Sequence, residues 1–249
     1  MPASFAPMSF SAYWRASRAP RYSLTFALPL LLLYEGLSLL LSHSAVSGVR
    51  NGADVLLKTM FVAFGGRAGL ITFGVLLLGA GAWLVARDLR HHPGPLRLGV
   101  LAGMLAESAV YAALFGIVVA TLTTLLLHPP LMTATTAGPL PIGTQLVVSL
   151  GAGIYEELAF RVLLVSGFVA LGKLFGWSRA VSTTSAIIAS ALIFSAFHYV
   201  GPYGDRLTLP SFTFRAIAGV MFSGLYVARG FGITAWTHAL YDVGLSLLL

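Results

Sequence analysis

With 249 residues, 57% of them hydrophobic and only 9% charged, the chain has a mean hydropathy of +0.88 and a net charge of +7. Because soluble domains carry roughly 25% charged residues, this composition excludes an ordinary soluble domain and predicts a membrane protein of several apolar helices. In such a protein we expect the positive charge in loops that face cytoplasmic lipid headgroups, rather than on a nucleic-acid-binding surface. There is no cysteine, which excludes disulfides, thiolate metal sites and cysteine nucleophiles.

In chain order, a polar, basic N-terminus precedes a series of apolar stretches long enough to cross a bilayer. These predicted spans lie at 24–41, 70–86, 99–127, 145–171, 180–199, 212–228 and 231–249. Residues 45–69 are more polar, and VLLKTMFVAF within them is typical of an amphipathic helix at the membrane interface. The sequence therefore predicts an all-α, polytopic transmembrane helix bundle of about seven spans, or eight if 45–69 also crosses. We divide it into an N-terminal membrane region, 1–144, with about three spans and an interfacial segment, and a four-helix core, 145–249.

Ionisable side chains inside the predicted spans are the most informative feature of the sequence. They are five of the eight acidic residues and two of the six histidines, namely Glu35, Glu107, Glu156, Glu157, Asp242, His198 and His238. A charge at the bilayer centre costs about 2.5–3.5 kcal/mol on insertion scales, so such residues face the bundle interior and mark sites. For Glu35 and Glu107 we favour structural pairing, for example with Arg161 or a histidine. The other five lie in neighbouring spans and favour a functional cluster.

Three short stretches hold this cluster: EELAFR from Glu156, FSAFH ending at His198, and HALYD from His238. On an α-helix Glu157 lies on the same face as Arg161, four residues on, whereas Glu156 points about 100° away and is left without a built-in partner. Together the stretches supply a free carboxylate, two histidines and a second carboxylate, which can activate a water molecule. The same side chains could hold zinc, although the zinc helix His-Glu-x-x-His is absent.

In this order, the three stretches resemble the motifs of the CAAX protease and bacteriocin-processing enzyme family (CPBP or Abi family), which includes the type II CAAX prenyl endopeptidases. The family pattern is Glu-Glu-x-x-x-Arg, Phe-x-x-x-His, and His-x-x-x-Asn or Asp, each on a transmembrane helix. The resemblance covers roughly 145–249 and implies that this core is catalytic. It implies an intramembrane endopeptidase that uses a glutamate, in a family described both as metalloproteases and as metal-independent glutamate proteases. Residues 1–144 carry no recognised motif.

The resemblance also implies roles for individual residues. Glu156 matches the general base for water and His198 matches the histidine that assists it. His238 and Asp242 match the pair that stabilises the oxyanion or completes the site. The supporting positions of the motifs match Glu157, Arg161 and Phe194. Asp242 stands where the eukaryotic enzymes are expected to have asparagine, and an aspartate lacks the two N–H donors of that amide. For Asp242 we therefore favour orientation of a histidine or ligation of a metal over binding of the oxyanion. No cofactor is expected to be required and no metal ligand is assigned; zinc, if bound, would be held by Glu156, His198, His238 and Asp242.

The expected partners are a membrane-associated or exported polypeptide substrate and the lipid bilayer, with no nucleic acid. The chain is expected to be a multi-pass protein of a bacterial inner membrane, with a cytoplasmic N-terminus because Arg15, Arg18 and Arg21 precede the first span. Two other functions stay open. One is a catalytically idle family member that acts in bacteriocin immunity or binds a partner. The other, less favoured, is a proton- or metal-coupled transporter, since buried glutamate, histidine and aspartate also form relays.

Overall fold

The computed structural model describes residues 9–41, 48–127, 141–201 and 204–248, and within these ranges the chain forms helices and no strand. The helices are α1 (Phe10–Arg18), α2 (Pro20–Leu41), α3 (Gly52–His91), α4 (Leu98–Leu127), α5 (Ile142–Gly151), a π-helical segment (Ala152–Val165), α6 (Ser166–Leu174), α7 (Arg179–Phe197), α8 (Leu209–Arg229) and α9 (Phe231–Leu248). The predicted all-α class is confirmed. Most of the stretch between the predicted spans 99–127 and 145–171 lies outside the described residues.

Among the described helices, five are long and apolar enough to cross a membrane, namely α2, α3, α4, α7 and α8. The predicted spans 145–171 and 231–249 are helical too but are not among these five. The first is divided by the π-helical segment, and α9 carries His238 and Asp242. A multi-pass membrane protein is therefore supported, while a total of seven or eight spans stays a prediction.

The N-terminal region differs most from the prediction. The helix α1 was not expected, and α3 runs from Gly52 through the second span without the separation that was predicted between 45–69 and 70–86. Inside α3 the backbone breaks at Gly66, with φ 54° and ψ −134°, a conformation that glycine adopts without a steric penalty. Beyond the break, a Cβ added to Gly69 would lie 2.0 Å from the Phe61 carbonyl oxygen. The two halves of α3 therefore fold sharply against each other.

Glu107 fixes α1 to the membrane helices. Its carboxylate oxygens accept hydrogen bonds from Arg229 at 2.6 and 2.7 Å, and the Tyr13 hydroxyl donates to it at 2.6 Å. The Arg229 guanidinium also lies 3.7 Å above the Trp14 ring centroid. Burial and the bond to Glu107 raise the pKa of Tyr13 above its ordinary value, so this hydroxyl keeps the proton it donates. Glu107 is paired, as predicted, but its partners are Arg229 and Tyr13 and not Arg161 or a histidine.

Glycines let the helices around the cluster approach closely, as expected for membrane helices. A Cβ added to Gly153 would lie 2.5 Å from the Ala235 carbonyl oxygen of α9, and one added to Gly151 would lie 2.5 Å from the Asn51 Cβ. These two contacts bring the π-helical segment and its neighbours together, whereas a Cβ added to Gly99 would have no atom within 4 Å.

Candidate active site

The first motif lies on the π-helical segment, not on the α-helix that the spacing suggested. A π-helix bonds each residue to the fifth one along the chain, so its turns are wider than those of an α-helix, and short π-helical turns are frequent at functional sites. Both glutamates and Arg161 are buried on this segment. It packs against α2, α3, α7, α8 and α9. The segment thus carries two carboxylates into the middle of the bundle.

Glu157 is fully buried between two basic side chains. One carboxylate oxygen lies 3.2 Å from Arg161 Nε, and the other lies 2.7 Å from His238 Nδ1. The predicted pairing with Arg161 is present, but as an ion pair without aligned hydrogen-bond geometry. The guanidinium lies 4.4 Å from the Phe194 ring centroid and 5.4 Å from that of Phe222. The contact with His238 was not predicted, and it makes Glu157 a bridge between the first and third motifs.

Glu156 is held on one side and open on the other. Its Oε1 accepts a hydrogen bond of 2.8 Å from Asn51 Nδ2, whereas Oε2 faces His198 Nε2 at 3.9 Å. His198 is the C-cap residue that follows α7, and its Nδ1 lies 2.8 Å from the Phe194 carbonyl oxygen. Only an N–H can pair with a carbonyl, so Nδ1 carries a proton and Nε2 is the nitrogen that faces the glutamate. The free oxygen of Glu156 and the free nitrogen of His198 therefore converge.

His238 lies between two carboxylates. Its Nδ1 is bonded to Glu157, and its Nε2 lies 3.5 Å from Asp242 Oδ2. The ring also stacks on Phe222 with the two centroids 4.2 Å apart, which fixes its plane. Asp242 is more open, with 28% of its side chain exposed. The predicted contact between His238 and Asp242 is present, but the shorter bond of the histidine is to Glu157.

Phe194 connects the two histidines. Its ring centroid lies 4.8 Å from that of His198 and 6.3 Å from that of His238, both nearly perpendicular. Because the Arg161 guanidinium covers the same ring, the phenylalanine packs against a residue from each of the three motifs. The structure therefore gathers the residues of the three motifs into one cluster, whereas Glu35 and Glu107 have partners elsewhere.

Sequence reasoning missed Asn51, which is buried and touches Glu156 from outside the motifs. Asn51 caps α3, since its side-chain oxygen accepts from the Ala53 N–H at 2.8 Å. The sequence does contain a signal for the helix cap, namely an asparagine before a helical pattern with Asp54 in the first turn. That signal does not indicate a contact with Glu156, which lies far along the chain. Glu35, expected to be structural, pairs with Lys58 at 2.9 Å and accepts from Tyr155 at 2.5 Å.

The histidines and carboxylates of the cluster are of the residue types that can hold a metal ion. Across the described residues, no group of three or more histidine, aspartate and glutamate side chains is placed to hold a metal ion. Nδ1 of each histidine is already engaged, in one case by Glu157 and in the other by the Phe194 carbonyl. As placed, the four residues named above as zinc ligands do not form a chelating set.

The part of the chain that holds this cluster matches a known protein family. Residues 138–244 match the family described as type II CAAX prenyl endopeptidase Rce1-like. This segment belongs to the CAAX protease family. The CAAX protease segment covers a little under half of the chain and contains all three motifs. Neither a curated protein nor a solved structure matches the chain. Since the family consists in general of intramembrane proteases, the segment and the apolar helices indicate a hydrolase in a multi-pass membrane protein.

Proposed function

We propose that the chain is an intramembrane endopeptidase in which Glu156, assisted by His198, activates water to hydrolyse a peptide bond. The observation that carries the proposal is the 3.9 Å separation of Glu156 Oε2 from His198 Nε2. That gap is too long for a direct hydrogen bond and leaves room for a water bonded to both atoms. The opposite atom of each side chain is tied down by Asn51 or by the Phe194 carbonyl. Both side chains are thus oriented before a substrate arrives, which is what a positioned general base requires.

The proposed reaction proceeds in two steps. A water held by Glu156 and His198 gives a proton to Glu156 Oε2 as its oxygen attacks the carbonyl carbon, and the carbonyl oxygen becomes an oxyanion. The protonated Glu156 then returns that proton to the leaving nitrogen, the C–N bond breaks, and a carboxylic acid and an amine are formed. Positioned acid–base catalysis of this kind contributes typically 10²–10⁴-fold to a rate.

His238 is the proposed donor to the oxyanion. Its Nδ1 faces Glu157, so the ring can donate from Nε2 as well when both nitrogens are protonated. Asp242, at 3.5 Å, is close enough to attract that Nε2–H but does not form a normal hydrogen bond with it. Asp242 therefore acts as an orienting partner in this scheme. Oxyanion donors of this type are worth about 10²–10³ in kcat.

The proposed substrate is a membrane-associated or exported polypeptide. Water and substrate need a path to a buried carboxylate, and the proposed path passes the two partly exposed members of the cluster: His198 has 24% and Asp242 has 28% of its side chain exposed. His198 lies at the end of α7, so the proposed path begins near the end of a membrane helix. We also propose a bacterial inner-membrane location with a cytoplasmic N-terminus, from the arginines that precede α2.

The decisive experiment replaces the base alone. Membrane proteomes of cells that carry the wild type or Glu156→Gln are compared for a precursor that stays uncleaved, and cleavage of that precursor is then measured in proteoliposomes. We expect Glu156→Gln to lower turnover at least 100-fold with an unchanged yield of folded protein. A matched control is Glu107→Gln, which removes another carboxylate from an apolar helix, one bound by Arg229 and Tyr13.

The control measures what loss of an intramembrane carboxylate does to folding, so its rate is compared per folded molecule. Equal rates for wild type and Glu156→Gln would refute the proposed base. If no precursor accumulates, and Glu156→Gln keeps any protective or partner-binding phenotype of the wild type, the idle family member becomes the better interpretation.

A further inference from the structure

We infer that Asn51, which lies outside the CAAX protease segment, is a positioning residue for Glu156. The inference rests on the proposed function, because Asn51 acts on the reaction only through the carboxylate that it bonds. Asn51 is 3% exposed, and its Nδ2 lies 2.8 Å from Glu156 Oε1. The contact joins residues 105 positions apart in the chain. The base is thus oriented by the connection between α2 and α3.

The orientation of the Asn51 amide follows from its other partner. The side-chain oxygen accepts from the Ala53 N–H at 2.8 Å, and a backbone N–H can pair only with the oxygen of the amide and not with its NH₂. The NH₂ group must then face Glu156. It approaches an oxygen acceptor at normal hydrogen-bond distance, so the bond is charge-assisted whenever Glu156 is ionised.

Asn51 is itself held rigidly. Its backbone N–H donates to the Tyr34 hydroxyl at 3.2 Å, and that hydroxyl donates to Asp54 Oδ2 at 2.7 Å. Asp54 pairs with Arg50 at 2.8 Å and with Lys58 at 2.7 Å, so a fully buried charge is compensated on both sides. These contacts fix the start of α3, and with it the asparagine.

The backbone beside Glu156 also approaches Asn51 closely. Gly151 immediately precedes the π-helical segment, and a Cβ there would meet both the Asn51 Cβ at 2.5 Å and the Tyr34 ring at 2.6 Å. Glycine is therefore required for Asn51 to reach Glu156. This approach is independent of the hydrogen bond and places the same two parts of the chain together.

The Asn51 bond has two consequences for a base. It favours the ionised form of Glu156 without adding a charge that would compete for the proton. It also occupies Oε1, so that Oε2 is the oxygen left to face His198 and a bound water. A residue that only capped α3 would do neither, and the two roles can be separated because serine and aspartate are also good N-caps.

The test compares Asn51→Ser and Asn51→Asp with the wild type. Serine keeps the cap but is too short to reach Glu156, and aspartate keeps the cap but places a second carboxylate there. With the precursor found through Glu156→Gln, cleavage rates in proteoliposomes are measured against substrate concentration and pH. We expect Asn51→Ser to lower kcat about 10- to 100-fold, as for loss of a hydrogen bond to a charged group, with KM little changed. The acid side of its pH–rate profile should move to higher pH, and further for Asn51→Asp.

The matched control is Ser178→Ala, which removes the N-cap of α7, on an exposed serine. It should lower stability without moving the pH profile. A second readout needs no activity: thermal unfolding of Asn51→Ser, Glu156→Gln and the double variant should give non-additive shifts, as for residues in contact.

Wild-type rate and pH profile in a folded Asn51→Ser variant would overturn the inference and leave Asn51 a helix cap, and additive unfolding shifts would overturn it as well. Equal cleavage by wild type and Glu156→Gln would instead overturn the proposed function.

Discussion

Glu157→Gln tests whether the second glutamate is structural, and the expected result is loss of stability. The substitution keeps the size of the side chain and removes its charge. Arg161 then loses the negative charge that faces it on its own segment, although it is fully buried, and His238 loses the carboxylate at 2.7 Å. Removing one member of a buried ion pair strands the other charge in a medium that solvates it poorly.

The magnitude follows from the burial of both partners. Breaking a buried pair costs about 3–5 kcal/mol. We expect a value near the lower end, about 3 kcal/mol, because glutamine still offers an oxygen to Arg161 and because Glu156 is next in the chain. For a chain of this length each kcal/mol shifts Tm by about 2–4 °C, so Tm should fall by roughly 6–12 °C.

Thermal unfolding in detergent measures this shift. The matched control is Asp205→Asn, which breaks an ion pair with Arg215 whose aspartate side chain is 48% exposed; an exposed pair contributes about 0–1 kcal/mol. A shift for Glu157→Gln as small as that of the control would refute the structural role. A Glu157→Gln protein that is stable but inactive, beside a Glu156→Gln protein that still cleaves, would reverse the assignment of the two glutamates.

Two further predictions concern the last motif and the topology. Asp242→Asn should keep substantial activity because asparagine can still orient His238, whereas Asp242→Ala should lose activity. This expectation assumes that no metal takes part. Stoichiometric zinc in the purified protein, with activity removed by chelation and restored by zinc, would contradict it. Single cysteines are placed at Ser178 and Thr208 in a chain that has none, and intact cells are labelled with an impermeant thiol reagent. The reagent should reach Thr208→Cys and not Ser178→Cys; the opposite pattern would reject the topology of seven spans with a cytoplasmic N-terminus.

The sequence was sufficient to predict features that depend on neighbouring residues or on composition. Hydropathy located the long apolar helices α2, α4, α7 and α8 because burial in lipid demands long apolar stretches, and the four-residue spacing predicted the pairing of Glu157 with Arg161. Contacts between helices could not be predicted in this way. The bond of Glu157 to His238 joins residues 81 positions apart, and helical periodicity says which face a residue occupies but not which helix lies opposite. The π-helical segment was missed for a related reason, since the spacing alone does not distinguish its wider turns from those of an α-helix.

The two adjacent glutamates differ because their partners differ. Glu157 is completely buried, with Arg161 against one oxygen and His238 against the other, so its charge is compensated and neither oxygen is free for water. Glu156 has a neutral amide on one oxygen, and its other oxygen faces His198 across a gap of 3.9 Å. A carboxylate that keeps its charge and has a free oxygen can accept a proton, whereas one paired on both sides serves better as a bridge between helices. The chemical difference between the two glutamates therefore arises from residues of α9, of the end of α7 and of the start of α3. The start of α3, which lies outside the motifs, contributes to it as directly as the motifs do.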